Sequence, residues 1–214
     1  ASGGKPCPRA LARSMDGGRS WRPVGPRMQP AASAPRGVVA LADGSLLALL
    51  ASPTTKDALQ TYRSRDEGRT WQMAGLLPWP DLSTLFASPV DPNRVFAGFG
   101  VEFFRALVYR TLDGGRTWSL GWQRPKSANP LSEGFVVSFA ALARTHTLIL
   151  CDPNAVYRST DGGSTWVRST AGLPKNVFIW TSLAATDGSA YVGTGETGIY
   201  RSANDGQTWQ PLSS

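Results

Sequence analysis

Histidine, cysteine and lysine are scarce in this chain. Among 214 residues there is one histidine, His146, and two cysteines, Cys7 and Cys151. Two thiols and one imidazole fall short of the three or four ligands a zinc site of these residue types needs, so no metal site is expected. Nothing in the sequence calls for a cofactor. Cys7 and Cys151 are as compatible with one disulfide in an exported protein as with two separate thiols. Basic residues outnumber acidic ones 22 to 15, a net charge of +7. The only lysines are Lys5, Lys56, Lys126 and Lys175, so arginine carries most of the excess. Such a balance suits an acidic partner, and equally a soluble basic protein with a preference for arginine. No block of consecutive basic residues occurs, which argues against a nucleic-acid tail. No apolar run approaches the roughly 20 residues that span a bilayer. No stretch keeps a helical period between caps. No signal peptide is visible. The sequence opens on Ala1 rather than Met, which fits a processed product or a piece of a longer chain.

What the chain has is a repeat. A nine-residue motif recurs five times. Its first copy is Arg13-Ser14-Met15-Asp16-Gly17-Gly18-Arg19-Ser20-Trp21. The others begin at Arg63, Arg110, Arg158 and Arg201, so successive copies start 50, 47, 48 and 43 residues apart. The acid is Asp16, Asp66, Asp113 and Asp161, with Asn204 in the last copy. Two residues on stands Gly18, Gly68, Gly115, Gly163 or Gly206, and the motif closes on Trp21, Trp71, Trp118, Trp166 or Trp209. An Asp or Asn here can accept bonds from nearby backbone N–H groups in an Asx-type turn. The glycine allows the positive φ of a tight hairpin. A Ser or Thr two residues before the acid can tie the incoming strand to the turn. The tryptophan ring can lie over the hairpin as an apolar lid. This element needs no ligand, so these residues are expected to be structural.

Between the motifs lie short runs rich in β-branched and aromatic residues, bounded by Gly, Pro, Asp and Asn. Phe135–Ala140, Thr147–Leu150 and Val156–Arg158 precede the fourth copy, and Trp180–Ala184, Ala190–Gly193 and Ile199–Arg201 precede the fifth. Each repeat therefore reads as four strands, A to D, with the motif at the C–D hairpin. A four-stranded unit of about 45 residues, repeated, is a propeller blade. The fold expected is an all-β propeller of antiparallel four-stranded blades, with residues 1–214 forming one such domain or a fragment of a larger one.

The motif resembles the Asp-box, or bacterial neuraminidase repeat. Propellers with similar boxes include sialidases, xyloglucan-cleaving glycosidases, sortilin-type receptors and the photosystem II stability and assembly factor family. The resemblance implies the fold and does not choose among these activities. It implies no catalytic residue here. The Arg-Ile-Pro signature of sialidases is absent. Tyr62, Tyr109, Tyr157 and Tyr200 each precede the repeated arginine, and Tyr191 lies in an expected B strand, so no tyrosine is left in a loop as a nucleophile. Asp57, Asp81, Glu102, Glu133, Asp152 and Glu196 are loop acids, but their spacing selects no pair.

Motif 1 leaves little chain ahead of it for strands A and B, and motif 5 is followed by five residues. The count is thus four blades and the C–D half of another. Three outcomes are expected: an irregular strand from residues 1–12, an open edge, or a dimer or partner that completes the blade. Antiparallel connectivity puts A–B and C–D turns on one face, and the longer D–A loops with the B–C turns on the other. In related propellers this second face holds the ligand. It is expected to present Arg36, Trp79, Phe103, Phe104, Trp122, Arg124 and Lys126, basic groups beside aromatics. The same aromatics could instead pack between blades. The arginine ahead of each motif is expected to serve its blade through a repeated hydrogen bond or ion pair. The function expected is that of a non-catalytic scaffold binding a protein or glycan partner, acidic in character, in an extracellular, periplasmic or lumenal location. The alternatives are a divergent or truncated sialidase-like glycoside hydrolase and a photosystem-assembly-type factor.

Overall fold

A computed structural model describes residues 11–24, 34–51, 56–101, 105–125, 135–136 and 138–212. They contain eighteen strands and no helix. β1 (Leu11–Arg13) and β2 (Arg22–Val24) form a two-stranded hairpin. Blade 1 follows as β3 (Pro35–Ala40), β4 (Leu46–Ala51), β5 (Leu59–Ser64) and β6 (Gln72–Leu77). Blade 2 is β7 (Leu82–Ala87), β8 (Val95–Val101), β9 (Arg105–Thr111) and β10 (Ser119–Gln123). Blade 3 is β11 (Ser138–Ala141), β12 (Leu148–Asp152), β13 (Ala155–Ser159) and β14 (Val167–Arg168). Blade 4 is β15 (Ile179–Ala184), β16 (Ala190–Thr194), β17 (Ile199–Ser202) and β18 (Gln210–Pro211). Within each blade the strands pair in sequence order, all antiparallel. The first strands pack one on the next, β3 on β7, β7 on β11 and β11 on β15, which makes them the inner strands of an arc. This is the expected propeller-type architecture of four blades and a half.

The five hairpins share one bonding scheme. In motif 3, Thr111 and Thr117 both donate their hydroxyls to Asp113, and the Thr117 and Arg116 amides bond the same carboxylate. The Gly115 amide donates back to the Thr111 hydroxyl at 2.9 Å. Motif 5 keeps the turn with Asn204: Oδ1 accepts from the Thr208 amide, and Nδ2 donates to the Thr208 hydroxyl, reversing one bond of the other copies. Asp16 and Asp66 are held at about 2 from an ordinary 3.8, chiefly by the Ser20 and Thr70 hydroxyls. At Asp113 and Asp161 desolvation works the other way, but bonds from Thr117 and Thr165 outweigh it and give about 2 as well.

The tryptophans do more than roof their own hairpins. Trp118 donates Nε1 to the Thr61 hydroxyl, and Trp209 donates Nε1 to the Ser169 carbonyl, each on the preceding blade. Trp166 stands edge-on to Phe96 of blade 2, ring centroids 6.3 Å apart. The motif glycine lies against the preceding blade's second strand: a Cβ on Gly115, Gly163 or Gly206 would come within 2.7 Å of Leu47, 2.5 Å of Phe96 or 2.5 Å of Ile149. The motif arginines also join neighbours. Arg13 pairs with Glu67 of motif 2, Arg110 donates to the Gly163 carbonyl, and Arg158 donates to the Asp205 carbonyl. Arg63 pairs with Asp43 of its own blade, with its guanidinium beside Gly114. In the final blade Arg201 turns back to Ser189 and Asp187. The arginines thus serve blade-to-blade and turn-to-strand contacts.

Among the described residues, large apolar side chains are exposed at both ends of the arc. Trp21 is 63% exposed where Trp209 is 2%, and Leu183, on the far side of blade 4, is 62% exposed. Among the described residues β1 pairs with β2 alone, and residues 1–10, the expected source of an irregular strand, lie outside them. Cys151 is a free thiol rather than half of a disulfide. It is fully buried in the blade 3–blade 4 core, and desolvation pushes it up to about 12. Cys7 lies outside the described residues.

Candidate functional site on the loop face

The face opposite the motifs is built from B–C turns and D–A loops, and one irregularity recurs on it. The inner strand of blades 1, 2 and 4 carries a bulge near its loop-face end. The extra residues are Arg36, Ser83 and Trp180, at equivalent positions. In blade 3 the equivalent is Val137, outside the described residues. A bulge leaves one residue unpaired and re-aims its side chain, which is why bulges gather at functional rims. The Ser83 hydroxyl is shared between the carbonyls of Gly98 and Val136, joining blades 2 and 3. Arg36 and Trp180 are exposed.

Trp180 has a neighbour of its own kind. Phe178, the last loop residue before β15, places its ring centroid 4.7 Å from that of Trp180, the planes tilted by 53°. The two rings are 38% and 59% exposed. The turn between β16 and β17 fixes them: the Gly195 amide donates to the Phe178 carbonyl at 2.8 Å, and a Cβ on Gly195 would come within 3.0 Å of Trp180 Nε1. A glycine there lets the indole lie against the backbone. Lys175 and Glu196, both exposed, flank the pair in sequence. An open aromatic pair on a rigid sheet edge can stack against the apolar C–H face of a sugar ring or an apolar protein side chain.

The residues expected to form the binding face divide. Arg36 is on the rim and exposed. Trp79 is half-buried against the Leu49, Leu59, Leu77, Ala97 and Phe99 cluster, and its indole N–H is buried without a bonding partner. Phe103, Phe104 and Lys126 lie outside the described residues. Trp122 and Arg124 require correction. Trp122 belongs to β10 rather than to a loop; it is buried and packs edge-on against Tyr157 at 4.8 Å. The Arg124 side chain is nearly buried and places Nε 3.1 Å from Asp152 Oδ2, with the Tyr157 hydroxyl 3.3 Å from the same oxygen. Asp152 is fully buried, and desolvation raises its pKa while Arg124 opposes that rise. Arg124, Asp152 and Tyr157 thus tie blades 2 and 3 together. Of the other loop acids, Asp57, Asp81 and Glu196 are exposed, while Glu102 and Glu133 lie outside the described residues. Sequence reasoning places Phe178 at the end of a D–A loop on this face without singling it out, and misses Trp180, which sits inside an apolar run that reads as an ordinary strand.

No protein-family model matches the chain. Over 175 residues it is 29% identical to the xyloglucanase Xgh74A of Acetivibrio thermocellus. The match covers 69% of this chain and 20% of the enzyme, so the chain spans about a fifth of the curated relatives it matches. The GH74 enzyme of Niastella koreensis superposes with a TM-score of 0.55 at 20% identity, covering 78% of this chain and 28% of that one. YCF48 bound to D1 peptide gives a TM-score of 0.58 at 14% identity, covering 94% of this chain and 60% of that one. At these identities the solved structures speak for fold, and the fold is that of a β-propeller.

Proposed function

We propose that this chain is a non-catalytic propeller segment that binds a glycan on its loop face, with Phe178 and Trp180 as the stacking platform. The exposed ring pair carries this reading. The two large rings, exposed and positioned by a bulge and a glycine turn, suit the flat faces of pyranose rings. The similarity to xyloglucanases, named for a glycan substrate, supports the same ligand class. Among the loop acids, Asp152 is fully buried and committed to Arg124 and Tyr157, which removes that one carboxylate from any role on a glycosidic bond. The test is calorimetric titration with xyloglucan oligosaccharides. Trp180→Ala should weaken binding about tenfold, the 1.4 kcal/mol scale of one aromatic contact. Unchanged affinity in that variant would reject the platform.

The likeness to xyloglucanases favours a second reading, a glycoside hydrolase. It predicts release of reducing ends from xyloglucan, lost when one loop carboxylate is replaced while binding persists.

A further inference from the structure

We propose that the crevice between motifs 2 and 3, on the motif face, docks an acidic segment of a partner protein, with Arg65 and Arg116 holding one of its carboxylates. The crevice lies between two complete blades and encloses about 230 Å³. That is below the roughly 300–1,000 Å³ of sites for whole small molecules, so it suits an inserted side chain. Arg65 and Arg116 line it, one from each motif, and both are exposed. Among the described residues neither has a hydrogen-bond or ion-pair partner. The other charged groups of the lining are committed. Arg63 donates to Asp43 and Ser45 of its own blade. Asp66 accepts from the Ser64 and Thr70 hydroxyls and the Thr70 amide. Asp113 accepts from the Thr111 and Thr117 hydroxyls and the Arg116 and Thr117 amides. Glu67, the remaining acid of motif 2, is 2.7 Å from Arg13. The free groups are therefore cationic, and a planar guanidinium offers paired N–H donors to a carboxylate.

The other copies of the motif show that the turn does not need these two arginines. A crevice of this kind is bounded by the third position of one motif and the seventh of the next. Those pairs are Met15 and Arg69, Arg65 and Arg116, Leu112 and Ser164, and Thr160 and Gln207, so both members are arginine in one crevice of the four. Motif 4 makes the same turn with Ser164, whose amide donates to Asp161 as the Arg116 amide donates to Asp113. The arginine side chains are thus spare in folding. The rest of the lining suits a polypeptide. Gln72, Met73 and Ala74 of β6 complete it, and Met73 is 53% exposed. An apolar group beside two cations fits an acidic side chain next to an apolar one, rather than a bare anion. The crevice is also preformed. A Cβ on Gly75 would strike the Arg116 and Gly115 carbonyl oxygens, so β6 lies directly on the backbone of motif 3. A rigid site spares the cost of ordering loops on binding.

The site is on the face opposite the ring pair, and its test is independent of glycan binding. The probe is a fluorescein-labelled octapeptide in which glutamate alternates with leucine, titrated with the full chain and followed by anisotropy. Saturable binding is expected, weakening as salt rises, with no binding of the peptide in which glutamine replaces glutamate. Arg65→Thr and Arg116→Ser copy the residues of motif 4 and keep the turns. Each should weaken binding about fivefold, and the two together more than about tenfold. Arg19→Ser changes the same position of motif 1, outside the crevice, and should leave the affinity unchanged. Equal binding by the parent and the double variant would overturn the proposal, as would no binding at millimolar peptide. So would an equal loss in Arg19→Ser, since the peptide would then read net charge rather than the crevice. Displacement of the probe by inorganic phosphate or a sulfated oligosaccharide at lower concentration than by unlabelled peptide would assign the site to free anions and overturn it as well.

Discussion

Gly163→Ala and Gly68→Ala test how the repeat holds its blades together. Both glycines have left-handed backbone, φ +84° and +87°, so both alanines carry the penalty of that conformation, about 1–2 kcal/mol. Their surroundings differ. A Cβ on Gly68 would meet nothing closer than Val24 Cγ2 at 3.5 Å, an ordinary contact. A Cβ on Gly163 would lie 2.5 Å from Phe96 Cε1. Phe96 cannot swing away: it is fully buried, with the Phe139 and Phe86 rings 5.8 and 6.4 Å from its own. Forcing a methyl into such a core costs about 1–3 kcal/mol more. Gly163→Ala should therefore lose about 2–5 kcal/mol and Gly68→Ala about 1–2 kcal/mol. Urea unfolding followed by tryptophan fluorescence gives both losses from midpoint shifts at constant slope. Equal losses would mean that the motif glycine serves only its own turn, and the blade-to-blade account would fail.

Arg124→Met should destabilise the fold by about 3–5 kcal/mol, because it leaves the buried Asp152 carboxylate without its cation, while oligosaccharide affinity per folded molecule stays unchanged. Arg158→Met removes a charged donor from the Asp205 carbonyl of the next blade and should cost about 1.5–3 kcal/mol. Arg201→Met, at a partly exposed side chain that bonds within its own blade, should cost under about 0.5 kcal/mol, and similar urea midpoints for the two variants would contradict the assignment. The motif aspartates sit near 2 in the folded protein against an ordinary 3.8, so their contribution is complete above about pH 4 and lost as the pH falls through about 2. The melting temperature should drop steeply between pH 4 and pH 2, and Asp113→Asn, which copies the natural Asn204, should flatten that drop. In a Cys7→Ser background the Cys151 thiol should resist Ellman's reagent until the protein is unfolded.

What the sequence revealed follows from the range of the interactions involved. The hairpin motif was legible because its bonds close within four residues, as from Ser64 to Asp66 and from Thr70 back to Asp66. The spacing of the copies then carried the blade count, including the half-blade at the start. The second use of Trp118 and Trp209 was not legible, since Trp118 reaches Thr61 across 57 positions and Trp209 reaches Ser169 across 40. Trp122 and Arg124 read as loop residues because nothing near them in sequence shows that Asp152 and Tyr157 are waiting on the next blade. Trp180 was hidden for a different reason. Whether it points into the core or out of it depends on a one-residue register shift against β16, and a bulge leaves no mark in the apolar run Phe178-Ile179-Trp180.

The Phe178–Trp180 platform is the central functional claim, and Trp180 reports on it directly. In a two-dimensional ¹H–¹⁵N spectrum its indole N–H, assigned by its loss in Trp180→Phe, should shift progressively as a xyloglucan oligosaccharide is added. The Trp209 indole, bonded to the Ser169 carbonyl in the blade 3–blade 4 core, should stay in place through the same titration. A Trp180 signal that does not move at saturating ligand, with shifts confined to signals from the motif face, would contradict the account.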